Sequence, residues 1–168
     1  MPDKKTIEAA REDEREGRSP STQAGEFVRE EVHHIREGKH GAASTKQAIA
    51  IGLSKARRAG VKLPPPKEGS ATPQVREKAE HDLSIGRHGR HKPSSTRSRA
   101  TSKALKREGH SGASKTSLAR QARSSARKRG AVARHQAAQK AVRTKGQAGL
   151  KRAAKKAART RAREQRAA

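Results

Sequence analysis

STKQAIAIGLSKARRAG, residues 44–60, is the most apolar passage of this chain, and the fold turns on how it is read. Ser44 followed by Gln47 is a capping-box pattern, which satisfies free amides at the start of a helix. Ile49, Leu53 and Ala56 recur at the spacing of one helix face. Gly60 offers a left-handed stop, with Val61 placed to fold back on the last turn. The stretch therefore predicts a helix from Ser44 to Gly60 with a single apolar side.

An amphipathic helix needs a partner, and the preceding residues supply one. SPSTQAGEFVREEVHHIREG, residues 19–38, sets Ala24, Val28, Val32 and Ile35 on one face with Phe27 beside it, and Gly38 and Gly41 break the run. Two helices joined by GKHGAA (38–43) predict a helical hairpin over residues 19–63. Its core is expected to be Phe27, Val28, Val32 and Ile35 against Ile49, Leu53 and Ala56. Each large apolar side chain buried there contributes roughly 1.5–3 kcal/mol, a small total. Ile51 falls off that face and is the expected contact in a homodimer. Upstream, TIEAAREDEREG (6–17) reads as a short polar, charged helix within residues 1–18.

Composition sets the rest of the chain apart. Hydrophobic residues are 29% of the 168, aromatics 1% and charged residues 35%, with a formal net charge of +26. Residues 1–63 carry 13 basic and 10 acidic side chains, whereas residues 64–168 carry 29 basic and 6 acidic. The change falls at LPPPKEGSATP (63–73), where prolines remove amide donors. Residues 64–98, rich in Pro, Gly, Ser and His, are read as a linker, and residues 99–168 as a basic arm. So little apolar surface does not offset roughly 1–2 kcal/mol of backbone entropy per residue. The fold expected is thus all-α: a small N-terminal hairpin module followed by a largely disordered or marginally helical Ala/Lys/Arg-rich arm.

An internal repeat runs across that division. REGKHGAASTKQAIAIGLSKARRAG (36–60) aligns with REGHSGASKTSLARQARSSARKRG (107–130) once one residue is dropped. Arg36, Glu37, Gly38, Gly41, Ala56, Arg57 and Gly60 match Arg107, Glu108, Gly109, Gly112, Ala126, Arg127 and Gly130. Ile49 and Leu53 become Ala119 and Arg123. A second copy on the same helix-Gly-helix plan would have exchanged core for cationic surface, and chance similarity in low-complexity sequence is the rival explanation.

The basic arm carries the chemistry. The candidate phosphate-binding residues are Arg120, Arg123, Arg127, Lys128, Arg129, Arg134, Lys140, Arg143, Lys145, Lys151, Arg152, Lys155, Lys156, Arg159, Arg161, Arg163 and Arg166, with Glu164 the sole acid after Glu108. Lys151, Lys155, Arg159 and Arg163 follow one i,i+4 line. Cations that neutralise phosphates release condensed counterions, so binding falls steeply with salt. No aromatic side chains interleave with the charges to stack on bases, and neither zinc-finger spacing nor a zipper is present. A helix-turn-helix reader is disfavoured too: the 38–43 loop exceeds the usual 3–4 residues, and the second helix is apolar where a reader is polar.

Other chemistries find little support. His33, His34 and His40 lie near one helix end, and His81, His88 and His91 lie in the linker, at spacings that match no established ligand pattern. They are read as surface histidines, with no metal and no cofactor. The serines lack the strand-turn-helix setting of a nucleophile, and no enzyme activity is expected. With no cysteine there is no disulfide, thiol nucleophile or Cys-based zinc site. The longest apolar run, Ala48 to Leu53, is far below the ~20 residues of a membrane span. The polar, acidic N-terminus reads as neither a secretory signal nor a transit peptide. A cytoplasmic, nucleoid-associated location is the expectation.

SPSTQAGEFVREEVHHIREGKHGAASTKQAIAIGLSKARRAGVKLPPP resembles the N-terminal module of a family of small basic bacterial proteins often labelled DNA-binding or plasmid-stabilisation proteins. The similarity covers most of the chain and is strongest from Ser19 to Pro66. KRAAKKAARTRA (151–162) is similar in composition to linker-histone tails. These resemblances imply nucleic-acid association. The function expected is sequence-nonspecific, histone-like DNA binding by the arm, in a nucleoid-associated or plasmid-maintenance role. Two alternatives stay open: a structural RNA-binding or ribosome-associated protein, and a stress or protein-interaction module with a solubilising tail.

Overall fold

The computed structural model describes residues 2–89 and 94–166, without the side chains of Lys145, Lys156, Glu164 and Arg166. Among the described residues the chain is all-helical: α1 (Lys4–Arg15), α2 (Pro20–Arg36), α3 (Thr45–Arg58), α4 (Pro73–His88), α5 (Ser95–Arg107), a 3-10 turn (Ser111–Ala113), α6 (Lys115–Lys128) and α7 (Gly130–Arg166). It divides into two units, residues 1–121 and 122–168. The first unit thus runs well past Leu63, where the sequence places the end of the folded module.

The signals around α3 act locally as their chemistry requires. Ser44 Oγ accepts from the Gln47 amide at 3.2 Å, while Gln47 Oε1 accepts from the Ala43 amide at 2.8 Å. At the other end the Val61 amide donates to the Ala56 carbonyl, and Gly60 adopts φ +100°. The Arg57 side chain is buried and donates to the carbonyls of Leu63 and Pro64, each at 3.2 Å, which ties down the exit from the helix. Burial lowers the Arg57 pKa, against an opposing contribution from Asp82.

The buried face of α3 keeps Ala56 from the expected one and otherwise differs from it. Thr45, Ala48, Gly52 and Ala56 are buried, whereas Ile49, Ile51 and Leu53 are half-buried. On α2, Ala24, Phe27, Val32 and Ile35 are buried and Val28 is half-buried. The reason is backbone proximity. An added Cβ at Gly52 would lie 2.7 Å from Val28 Cα and 3.0 Å from its amide nitrogen. A stripe of small residues draws the two helices together, and the large apolar side chains spread along its flanks.

Two apolar clusters result. Ala10, Ala24, Phe27, Ala56 and Val61 form one, with Ile7, Leu53, Ala59 and Leu63 packed on it. The charged helix α1 therefore contributes Ile7 and Ala10 to the core. The second cluster joins Val32, Ile35, Ala42 and Ala48 to Ala113, with Leu118 alongside.

Residues 73–88, assigned to a linker from the sequence, form α4 against α3. Pro73 occupies the first turn of that helix, where its missing amide costs nothing. The buried Asp82 accepts from Ser54 Oγ and from Arg58 Nε, both at 2.6 Å. Replacing Asp82 by alanine is expected to cost about 1–3 kcal/mol, because polar groups on α3 lose a matched acceptor. Thermal melting and faster amide exchange across residues 73–88 would register it, and unchanged exchange there would show that α4 docks by other means.

The two repeat segments share their plan and meet in space. α2 and α5 end at Arg36 and Arg107; α3 and α6 are each 14 residues long. Ser114 Oγ accepts from the Ser117 amide at 3.1 Å, as Ser44 does from Gln47. The Gly41 amide donates to the Leu105 carbonyl at 2.8 Å and the Ala42 amide to that of Gly109 at 2.9 Å. Thr45 Oγ1 donates to the Gly112 carbonyl at 2.6 Å, and Arg36 Nε to that of Ala113 at 2.8 Å. The corresponding residues Ala42 and Ala113 are both buried in the second cluster, where Ala48 and Leu118, also a matched pair, both pack. The second copy keeps its core positions at the loop and packs them on the first copy.

Of the two states expected for the arm, largely disordered or marginally helical, the described residues are helical, in α5, α6 and α7, and the disordered alternative is corrected. Alanine, lysine and arginine are strong helix formers, and hydrogen bonding within a helix needs no core. No described residue of 122–166 is buried, so the helix in the second unit rests on that local preference. Gly146, at φ 61° and ψ 171°, breaks α7 into segments 130–145 and 147–166.

Candidate nucleic-acid interface

The cations expected to bind phosphate lie on α6, on α7 and at Arg129 between them. On α6, Arg120, Arg123 and Arg127 recur at i, i+3 and i+7, which places them on one face. On the 147–166 segment of α7, Lys151, Arg152, Lys155, Arg159 and Arg163 fall within an arc of roughly 120°, counted at 100° per residue. Arg161 points elsewhere. Arg134 Nε donates to the Gly130 carbonyl at 3.1 Å, within its own helix. Lys128, Arg129, Lys140 and Arg143 are exposed, as is every described side chain of the candidate set. The side chains of Lys145, Lys156 and Arg166 lie outside the described residues.

The charge is concentrated in the second unit. Residues 122–168 carry sixteen Lys and Arg side chains and Glu164 as the sole acid. The 147–166 segment is about 30 Å long at 1.5 Å per residue. Duplex DNA presents one phosphate per roughly 1.7 Å of axis, so a contact of that length offers more anions than the segment has cations.

The first unit adds a basic face that the sequence reading left out of the site. Arg99, Lys103 and Lys106 recur at i, i+4 and i+7 on α5, where all are exposed, and no residue of that helix is buried. The signal was present: RSRATSKALKR (97–107) contains no acid. Arg99, Lys103 and Lys106 fall within the basic arm read from residue 99, but outside the phosphate-binding set, which starts at Arg120.

The histidines do not share one environment. His33 is exposed and pairs with Glu37 at 2.9 Å, whereas His34 is buried and His40 half-buried. His91 lies outside the described residues. Reading all of them as surface groups is therefore corrected for His34, which packs within α2 next to Glu30 and Glu31.

Residues 17–67 match a family of unknown function, DUF6496. The match spans α2, α3 and their joining loop and stops before the basic helices. Comparison with curated proteins and with solved structures gave no match. Among the described residues no helix is long and apolar enough to cross a membrane.

Proposed function

We propose that the protein binds duplex DNA through its phosphates, without sequence preference, using the exposed cations of α6 and α7 with those of α5 as a secondary face. The observation that carries this reading is the second unit: helical, unburied, and charged sixteen to one in favour of cations. A helix studded with cations repels itself by a few tenths of a kcal/mol for each like pair at i,i+4. A polyanion removes that repulsion, so binding and helix formation reinforce one another. The chain has a single aromatic residue, Phe27, and it is buried, so base stacking does not contribute. The role this suits is histone-like compaction or bridging of DNA in the nucleoid.

The test is a salt titration on several duplexes of unrelated sequence. Affinity is expected to fall linearly on logarithmic axes, with a slope near −0.9 per phosphate neutralised. The slope should be the same for every duplex, and affinities at one salt concentration should agree within about threefold, well under the 1–3 kcal/mol that a single mismatch costs a specific reader. A shallow slope, or one strongly preferred duplex, would overturn the reading. Tighter binding to RNA helices than to DNA at equal length would move the assignment to RNA.

A further inference from the structure

We propose that Glu31, His34 and His40 form a binding site for one divalent cation of the zinc class, which pins the loop after α2. This is independent of the nucleic-acid reading. Glu31 and His34 lie three apart on α2, and Gly38, at φ +75°, turns the chain so that His40 returns to the same end of the helix. One ligand atom from each of the three residues lies within 4.8 Å of the other two.

The state of each group argues for a ligand. The Glu31 side chain is completely buried. Its Oε2 takes the Lys55 ammonium, but its Oε1 has no hydrogen-bond partner. Such an oxygen is costly unless something positive reaches it. His40 Nδ1 lies 3.1 Å from the Gly41 carbonyl, which can only accept, so that nitrogen carries the hydrogen. In a neutral imidazole Nε2 then holds a lone pair, and it lies 3.1 Å from Glu31 Oε1. That contact needs a proton or a metal cation between the two atoms, and a divalent ion bound there would take the place of the proton of a charged His40. Tetrahedral zinc, with bonds of about 2.0–2.1 Å, sets neighbouring ligand atoms about 3.3 Å apart, close to this spacing.

The outer shell fits the same assignment. A zinc-bound histidine ordinarily donates its other N–H to a backbone carbonyl or a carboxylate. Gly41 fills that place for His40. His34 has carboxylates near both ring nitrogens, Asp3 Oδ2 at 3.5 Å from Nε2 and Glu30 Oε1 at 3.8 Å from Nδ1, distances that are charge contacts and not hydrogen bonds. Two imidazoles and one carboxylate leave a fourth position for water, and of the three ligands His34 also lines a surface cleft, with Asp3, Glu30 and His33. The site adjoins Gly41 and Ala42, whose amides bind the second repeat.

The full-length chain, stripped with a chelator and titrated with Zn²⁺ by calorimetry, is expected to take up one equivalent tightly and to melt at a higher temperature when loaded. Co²⁺ in place of Zn²⁺ should give the intense visible bands of a four-coordinate ion. His40→Ala and His34→Ala should each weaken binding by about 100-fold or more, at or beyond the upper end of what losing an outer-shell partner costs. His33→Ala, one position away and exposed, should leave it unchanged. Absence of a tight equivalent, six-coordinate Co²⁺ bands in the unsubstituted chain, or equal losses from His33→Ala and His40→Ala would overturn the proposal.

Discussion

A chain ending at Arg129 should lose most of the salt dependence of DNA binding. That truncation leaves α6 whole, together with all of the first unit, and removes α7 with its twelve cations and Glu164. If half of those cations meet phosphates, the slope of log affinity against log salt flattens by about 5. Contacts of that number account for roughly a 10³-fold change in affinity between 50 and 200 mM salt. The residual binding by α5 and α6 should be weak and nearly insensitive to DNA sequence. The comparison is best made by fluorescence anisotropy across a range of salt concentrations, with melting of the first unit as the control for folding. An unchanged slope would mean that α7 only keeps the protein soluble, and that the binding face lies on α5 and α6.

Gly41→Ala should be the most damaging single methyl group that can be added to the first unit. Its Cβ would lie 1.9 Å from the Glu108 carbonyl oxygen and 2.4 Å from the carbonyl carbon, both backbone atoms that cannot rotate aside. The two repeat loops must separate. Separation breaks four hydrogen bonds, those of Gly41 with Leu105, Ala42 with Gly109, Thr45 with Gly112 and Arg36 with Ala113. At a net 0.5–1.5 kcal/mol each, the loss is about 2–6 kcal/mol before the second apolar cluster opens. Melting should fall by on the order of 10 °C. Gly109→Ala is the matched control: it lies in the paired loop, its Cβ meets nothing within 4 Å, and it should be tolerated. Gly52→Ala should fall between them. The clash with Val28 is partly offset by the gain of about 0.8–1 kcal/mol that alanine brings over glycine inside a helix. Equal stability of the Gly41 and Gly109 variants would mean that the repeats do not depend on this pairing.

The sequence was most legible where structure is local. Ser44, Gln47 and Gly60 act through hydrogen bonds to residues within a few positions, and α3 begins and ends beside them. The face of α3 was harder to place. Periodicity found Ala56 but is dominated by large apolar residues, while the helix contact also needs Ala48 and Gly52, whose smallness leaves little hydropathy signal. Helix α4 was obscured because Pro73 ends a proline-rich run yet also suits a helix start, and because its buried anchor, Asp82, is a residue type usually left outside. Glu31 and His34 were hidden in the same way: charged side chains on a helix read as solvated until a loop brings His40 over them. The phosphate-binding set needed only composition, since exposure of cations in an alanine-rich helix requires no tertiary information. Its extension to Arg99, Lys103 and Lys106 on α5 rests on the same composition, because those cations already lie in the basic arm.

The pairing of the repeats also imposes an order of events during synthesis. Thr45 waits 67 residues for its acceptor at Gly112, and Ala42 and Ala48 wait as long for Ala113 and Leu118 to cover them. At roughly 5–20 residues per second the ribosome takes about 3–13 s to supply that stretch. From the addition of Arg58 onward α2 and α3 are complete in sequence while one of their two apolar clusters lies open. The nascent chain is therefore most exposed to proteases and to unwanted association in a window that closes when the second copy emerges.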